Sequence, residues 1–222
     1  MDDVLKGIIE DEDSGEIMAN ENKILEPLLE EIDMIQDLGL SSFVRSVLCK
    51  IPNYFWTVPT LGSVDGHPLD EHKKCGNILH IKRVVRTVSM LAVAQDRSND
   101  DCDALVAAAI LHDVTKHIFI EGKGLQYDPM HAYTVDKIIL WVQELDSKES
   151  DDSASSSLWV DEELLEKTLR LIRCHMGRWS AIPETVPVSS LEWMMHFADL
   201  IASRLHIIVD GNNYQEWRWA TQ

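Results

Sequence analysis

Apolar residues recur along this chain with helical spacing, in blocks separated by polar or Pro/Gly-rich stretches. Between Asn22 and Asp37, Ile24, Leu25, Leu28, Leu29, Ile32 and Ile35 share one face with acidic residues between them, the period of an amphipathic helix. A shorter helix is expected over Ser42–Lys50. Ile78–Gln95 repeats the pattern, with Ile78, Ile81, Val84, Val85, Val88 and Leu91 on one broad face. Asp101–His112 differs: from Ala104 to Leu111 every residue is apolar, which marks a helix buried on all sides. Pro129–Leu145 and Asp161–Cys174 are amphipathic again, and a last helix is predicted over Ser190–Val209. Strand-like alternation is scarce, and only Ile118–Ile120, before Gly122 and Gly124, suggests a short hairpin. The expected class is all-α.

The intervening segments divide the chain further. Residues 51–77 hold Pro52, Pro59, Pro68, Gly62, Gly66 and Gly76 and read as a long irregular loop, a kind of segment that is often functional. Residues 146–157, rich in Ser and Asp, read as a flexible surface insertion. Residues 1–20 read as an acidic, disordered tail. One domain over 21–209, followed by a C-terminal extension over 210–222, is the expected organisation.

Composition narrows the setting. At 222 residues and 45% apolar the chain suffices for one well-buried domain. No stretch approaches the roughly 20 apolar residues of a membrane helix, and the acidic start, Met1-Asp-Asp, lacks a signal core. Cys49, Cys75, Cys102 and Cys174 are widely separated without a CxxC pair, so a reduced, cytoplasmic protein is expected. The net charge of −18 is local. Residues 1–40 carry 13 acidic and 2 basic side chains, and residues 144–166 carry 9 and 1. These segments hold −11 and −8, leaving the remainder near +1. Long nucleic acids would meet repulsion at those segments, which favours small anionic substrates.

The chemistry concentrates where the apolar helix ends. His112 and Asp113 follow Leu111 directly, and an aspartate beside a buried helix calls for a partner or a metal. His80, His131, His175 and Asp199 also fall on predicted helices or their ends, which is how a helical bundle builds a metal site in its core. Imidazole and carboxylate together suit one or two divalent ions among Mn, Fe, Co, Zn and Ni. Asp113 is the natural bridge between two ions, because only a carboxylate offers two oxygens. The chain has no Gly-x-Ser-x-Gly elbow and no P-loop.

The ordered set His80, His112-Asp113 and Asp199 resembles the HD-domain superfamily of metal-dependent phosphohydrolases. His131 and His175 resemble the positions that complete a two-metal centre in its binuclear members, and Lys116 matches a lysine that several binuclear branches carry. Over residues 54–205 the segments Phe-Trp-Thr-Val-Pro, Gly-His-Pro, Leu-His-Asp, His-Met-Gly-Arg-Trp and Ala-Asp-Leu-Ile-Ala-Ser-Arg are similar to a bacteriophage and bacterial HD subgroup. The resemblance implies an HD helical bundle with the metal site in its core. It also implies cleavage of a phosphoester or phosphoanhydride bond of a nucleotide or short oligonucleotide by metal-activated water. A homodimer is the superfamily default.

Candidates for substrate contact surround the ligands. Lys116 could also stabilise the transition state. Arg83 lies three residues beyond His80, Arg204 five beyond Asp199, and Arg178 and Trp179 just after His175. Trp56 and His67 sit in the long loop, as pocket wall or core plug. A second zinc at Asp70, His72 and Cys75 lacks a familiar spacing. His196 reads as a packed or supporting residue, and His117 and His206 as structural or solvent-facing. Two other functions are compatible with the same residues: a di-iron oxygenase of the HD type, and a non-catalytic nucleotide-binding module.

Overall fold

The computed structural model describes residues 23–60, 67–128, 130–135, 160–180 and 182–204. The tail, the 146–157 insertion, the extension after 209 and His206 lie outside the described residues, as does most of the helix expected over Pro129–Leu145. The described part is mostly helical, with one two-stranded hairpin.

Helix α1 (Leu29–Ile32) and the preceding 3₁₀ turn Glu26–Leu28 replace the single helix expected from Asn22. Pro27 lies in that turn, and a ring without an N–H cannot extend a regular α-helical ladder. Helix α2 (Leu38–Lys50) begins four residues earlier than its apolar pattern suggests, because the Asp37 carboxylate accepts from the Leu40 N–H at 2.7 Å. Helix α3 (Gly76–Ala94) follows the long loop, and α4 (Asn99–Leu111) starts at Ser98, whose hydroxyl accepts from the Asp101 N–H. Helix α5 (Glu162–Cys174) starts at Asp161, and α6 (Ser190–Ala202) at a capping box of Ser189 and Glu192. Each cap satisfies N–H groups that a helix start leaves without partners.

Helix α4 is the axis of the bundle. Ala104–Leu111 are all buried, and α2, α3, α5 and α6 all pack on it. Its alanines let those helices approach closely, while Leu105, Ile110 and Leu111 join Ile81, Val84, Leu171 and Met195 in one buried apolar cluster. Among the described residues no helix is long and apolar enough to cross a membrane.

One buried carboxylate ties the N-terminal helices to this axis. Asp103 accepts from the Gln36 N–H at 3.0 Å and the Asp37 N–H at 2.7 Å, so it holds the chain just where α2 begins. Asp103→Ala is expected to lower stability by about 3 kcal/mol, the scale of hydrogen bonds to a charged group, as read by urea denaturation.

The segment expected to be irregular holds a 3₁₀ turn at Asn53–Trp56 and then doubles back on itself. Thr60 N–H donates to the Glu71 carbonyl, Cys75 N–H to Thr57 and Asn77 N–H to Val58. Strands β1 (His117–Ile120) and β2 (Gly124–Tyr127) form the hairpin anticipated around Ile118–Ile120. Asp128 N–H donates to the Lys116 carbonyl at 2.9 Å, so the hairpin closes at its base and returns the chain beside Asp113. Residues 131–135 are helical from there.

Candidate metal centre

Six side chains from five parts of the fold meet at the end of α4. Helix α3 supplies His80, the end of α4 His112 and Asp113, the segment after the hairpin His131, the end of α5 His175, and α6 Asp199. Packing of α3 against α6 brings His80 Nε2 to 3.0 Å from Asp199 Oδ1. His80, His112, Asp113, His131 and His175 are each at most 1% exposed, and Asp199 is partly buried.

The two carboxylate oxygens of Asp113 face different partners. Oδ2 lies 3.5 Å from His112 Nε2 and 3.7 Å from His80 Nε2. Oδ1 lies 3.2 Å from His131 Nε2 and 3.9 Å from His175 Nε2. His80 and His112 approach each other at 3.4 Å through Nε2, as His131 and His175 do at 3.2 Å. Asp113 therefore belongs to two buried groups of side chains, each able to hold a metal ion.

Backbone carbonyls fix which imidazole nitrogen is available. Nδ1–H of His112 donates to Ala109 O at 2.8 Å, that of His175 to Ile172 O at 2.7 Å, and that of His131 to Asp128 O at 2.8 Å. A carbonyl can only accept, so the proton sits on Nδ1 and each Nε2 presents a lone pair. Burial pushes the His112 imidazole below its ordinary pKa. Burial and the neighbouring His112 and His131 push His175 to about 3.

Backed by these carbonyls, Nε2 of His112, His131 and His175 converges with the Asp113 carboxylate oxygens in a buried space, an arrangement that suits a cation. Donors bonded at about 2.1 Å to one ion lie roughly 3.0–3.4 Å apart for octahedral or tetrahedral angles, the range of the shortest separations here. The donor set fits a divalent transition metal.

His80 is supported differently. Its Nδ1 lies 3.5 Å from Glu71 Oε2, and His67 Nδ1 approaches the same oxygen at 2.8 Å. Glu71 is fully buried, and Arg83 pairs with its other oxygen while reaching Asp70 Oδ2 at 2.5 Å. Gly76 makes room for this: a Cβ there would sit 1.7 Å from the Glu71 carbonyl oxygen. Burial opposes charge on His80, but Asp199 and Glu71 outweigh it and raise its pKa to about 9. Burial likewise disfavours the Glu71 carboxylate, yet His67, His80 and Arg83 hold its pKa at about 2.

A carboxylate behind a ligand histidine orients the ring and raises its basicity, and its loss costs about 10–100-fold in metal affinity. Glu71→Gln is expected to weaken metal binding by that factor in a chelator competition. In the metal-free protein Glu71 has a depressed folded pKa. Its stabilising contribution is therefore present above pH 4.5 and lost as pH falls through about 2. The stability gap between wild type and Glu71→Gln, measured by urea denaturation, should narrow as pH falls from 4.5 towards 2. It should narrow again as pH rises from 6.5 through about 9, where His80 loses the proton that Glu71 helps to hold.

Lys116 Nζ donates to Asp113 Oδ2 at 2.6 Å and faces the same space. Burial opposes its charge, but Asp113 and Asp199 prevail and raise its pKa. A cavity of about 600 Å³ opens over the centre, lined by Asp113, Lys116, His131, His175 and Asp199 together with His67, Trp179 and Arg204. Arg178 is exposed and lies beside Trp179 in an adjoining depression.

Two residues expected at the substrate sit elsewhere. Arg83 is buried behind His80 in its pairs with Glu71 and Asp70, so its guanidinium supports the centre from outside the cavity. Trp56 packs edge-on to Phe55, with ring centroids 5.2 Å apart, against the apolar core. Asp70, His72 and Cys75 form no metal-capable group among the described residues; His72 Nε2 instead meets the His67 carbonyl at 3.3 Å. His196 is buried and donates Nδ1–H to the His175 carbonyl at 2.7 Å, which fixes the backbone of a candidate ligand. His117 is buried as well, and burial lowers its pKa to about 4.

Glu71 and Tyr127 are the additions to the expected set. Tyr127 packs edge-on to His131 and lines the cavity. The signal for Glu71 was its position four residues after His67, within the loop already singled out. Compared with known families, curated proteins and solved structures, the chain matches none.

Proposed function

We propose that this chain is a metal-dependent phosphohydrolase of the HD-domain type. It would cleave a phosphoester or phosphoanhydride bond of a nucleotide or short oligonucleotide with an activated water. The observation that carries this reading is the division of Asp113: one oxygen faces His80 and His112, the other His131 and His175. One or two divalent ions held there would supply Lewis acidity, activating a water and neutralising phosphoryl charge.

The chain's own residues account for the rest. Two carboxylates among neutral imidazoles would cancel one divalent ion and leave two ions net positive, and the Lys116 ammonium adds a further positive charge that suits a phosphate. Lys116 holds a charged ammonium at Asp113 and at the cavity wall, placed to donate to a phosphoryl oxygen. Arg204 adds a second cation at the lining. Protein nucleophiles find no support in the cavity, because Ser203 donates its hydroxyl to the Asp199 carbonyl at 2.8 Å.

The test is product analysis. Protein loaded with Mn²⁺ is offered mono-, tri- and cyclic nucleotides and short oligonucleotides, with products separated by chromatography and identified by mass spectrometry. Turnover that a chelator abolishes supports the reading. No turnover across the panel, with bound metal verified, would overturn it in favour of an oxygenase or a binding module.

A further inference from the structure

Beside the metal cavity lies a second depression of about 350 Å³, between the turn after α5 and the face of α6. Trp179, His196 and Leu200 line both, so the two spaces share a wall. The second space is aromatic. Trp193 and Phe197, one turn apart on α6, stack with centroids 5.4 Å apart and planes inclined by 27°. The rings of Trp193 and Trp179 flank His196 at 5.6 and 5.5 Å. Trp179 is 58% exposed and Phe197 45%, leaving flat apolar faces in water beside the reactive centre.

Each space also has its own cation. Arg204 lines the metal cavity and Arg178 the second depression; both are exposed. Neither side chain has a partner among the described residues. Two exposed guanidinium groups, without partners among the described residues, mark a local preference for anions.

We infer that this second depression is a base-stacking subsite, so that the substrate is a single-stranded oligonucleotide of at least two nucleotides rather than a mononucleotide. The inference rests on the phosphohydrolase reading. A mononucleotide held within the first cavity, with its phosphate at the metal centre, would leave Phe197, Trp193 and Arg178 uncontacted, because they line only the second depression. A second nucleotide carries what those residues lack: a flat π-face for the aromatic rings and a phosphate for the arginine. Stacking of this kind contributes about 1–3 kcal/mol per base and tolerates any base, so discrimination by length rather than by sequence is expected.

The experiment compares wild type with Phe197→Ala and Arg178→Gln. With Mn²⁺ present, kcat/KM is measured for a tetranucleotide and for a nucleoside monophosphate, and the ratio of the two is the readout. Wild type should favour the tetranucleotide. Phe197→Ala should lower the ratio about tenfold, within the roughly 5- to 150-fold that the stacking energy allows. Arg178→Gln should lower it less, and less still at high salt.

Binding of a phosphorothioate tetranucleotide, followed by quenching of tryptophan fluorescence, supplies a readout that needs no turnover. Quenching by the tetranucleotide that Phe197→Ala weakens supports the subsite even if no bond is cut, which separates it from the hydrolase reading. Equal ratios and equal quenching in wild type and both variants would overturn the subsite while leaving hydrolysis standing. A sedimentation shift in Phe197→Ala with nucleotide binding unaltered would also overturn it, by assigning the groove to a second copy of the chain.

Discussion

Asp113→Ala is expected to abolish metal-dependent turnover, with a loss well beyond a hundredfold. Removal of a residue that merely supports a metal ligand costs about 10–100-fold in metal affinity or activity. Asp113 faces both histidine pairs, so its loss removes the one carboxylate that, among the described residues, lies within 4 Å of both. Metal content by mass spectrometry should fall together with activity.

The variant has a second consequence. Lys116 is 7% exposed, and its ammonium donates to the Asp113 carboxylate. Alanine would leave it as a buried charge without its partner, a change that costs about 3–5 kcal/mol. The double variant Asp113→Asn with Lys116→Met should therefore regain much of the stability and none of the activity. Recovered activity in that double variant, or full activity in Asp113→Ala, would refute the central role given to this carboxylate.

Gly177→Ala is the second large effect. Gly177 has φ +57, and a Cβ there would lie 2.3 Å from Cε1 of His196. The left-handed backbone costs a non-glycine residue about 1–2 kcal/mol. The collision adds an overpacking cost of about 1–3 kcal/mol. Urea denaturation should therefore read a loss of about 2–5 kcal/mol. His196 cannot yield freely, because its Nδ1–H holds the His175 carbonyl. The same change should thus weaken metal binding although Gly177 touches no ligand atom. Adding His196→Ala removes the collision but not the backbone strain, so the double variant should be less destabilised than the sum of its parts. Additive losses would show that the two residues act separately.

The helices were legible in the sequence wherever one face repeated. Ala104–Leu111 announced the axis of the bundle, and α3 and α5 lie where their apolar spacing put them, whereas α6 begins as expected but stops at Ala202, with Ser203 as its C-cap, instead of running on to Val209. The misreadings had local causes. Pro27 broke a pattern whose apolar period continued through it, and the Asp37 cap started α2 before its apolar face began. The six proposed ligands were also legible, because His and Asp at the ends of apolar helices have few packing explanations.

Their supports were harder to read. Glu71 and Arg83 act through a loop that crosses itself by backbone hydrogen bonds, which composition does not encode. Arg83 has the spacing of a residue on the ligand side of α3, yet the buried Glu71 carboxylate draws it behind His80. His-Met-Gly-Arg-Trp holds three separate roles: a proposed ligand, a glycine shaped to its neighbour, and an exposed aromatic.

The hairpin gives the centre an unexpected seam. Its base is closed by Asp128 on Lys116, and its tip lies between Ile120 and Gly124. His80, His112 and Asp113 precede that tip, while His131, His175 and Asp199 follow it. Cutting the chain there would divide the donors three and three between two fragments, each holding half of a centre. If the proposed centre binds a metal, reassembly of such a split protein would be templated by that ion, which makes the hairpin tip the natural place to build a metal-reporting pair.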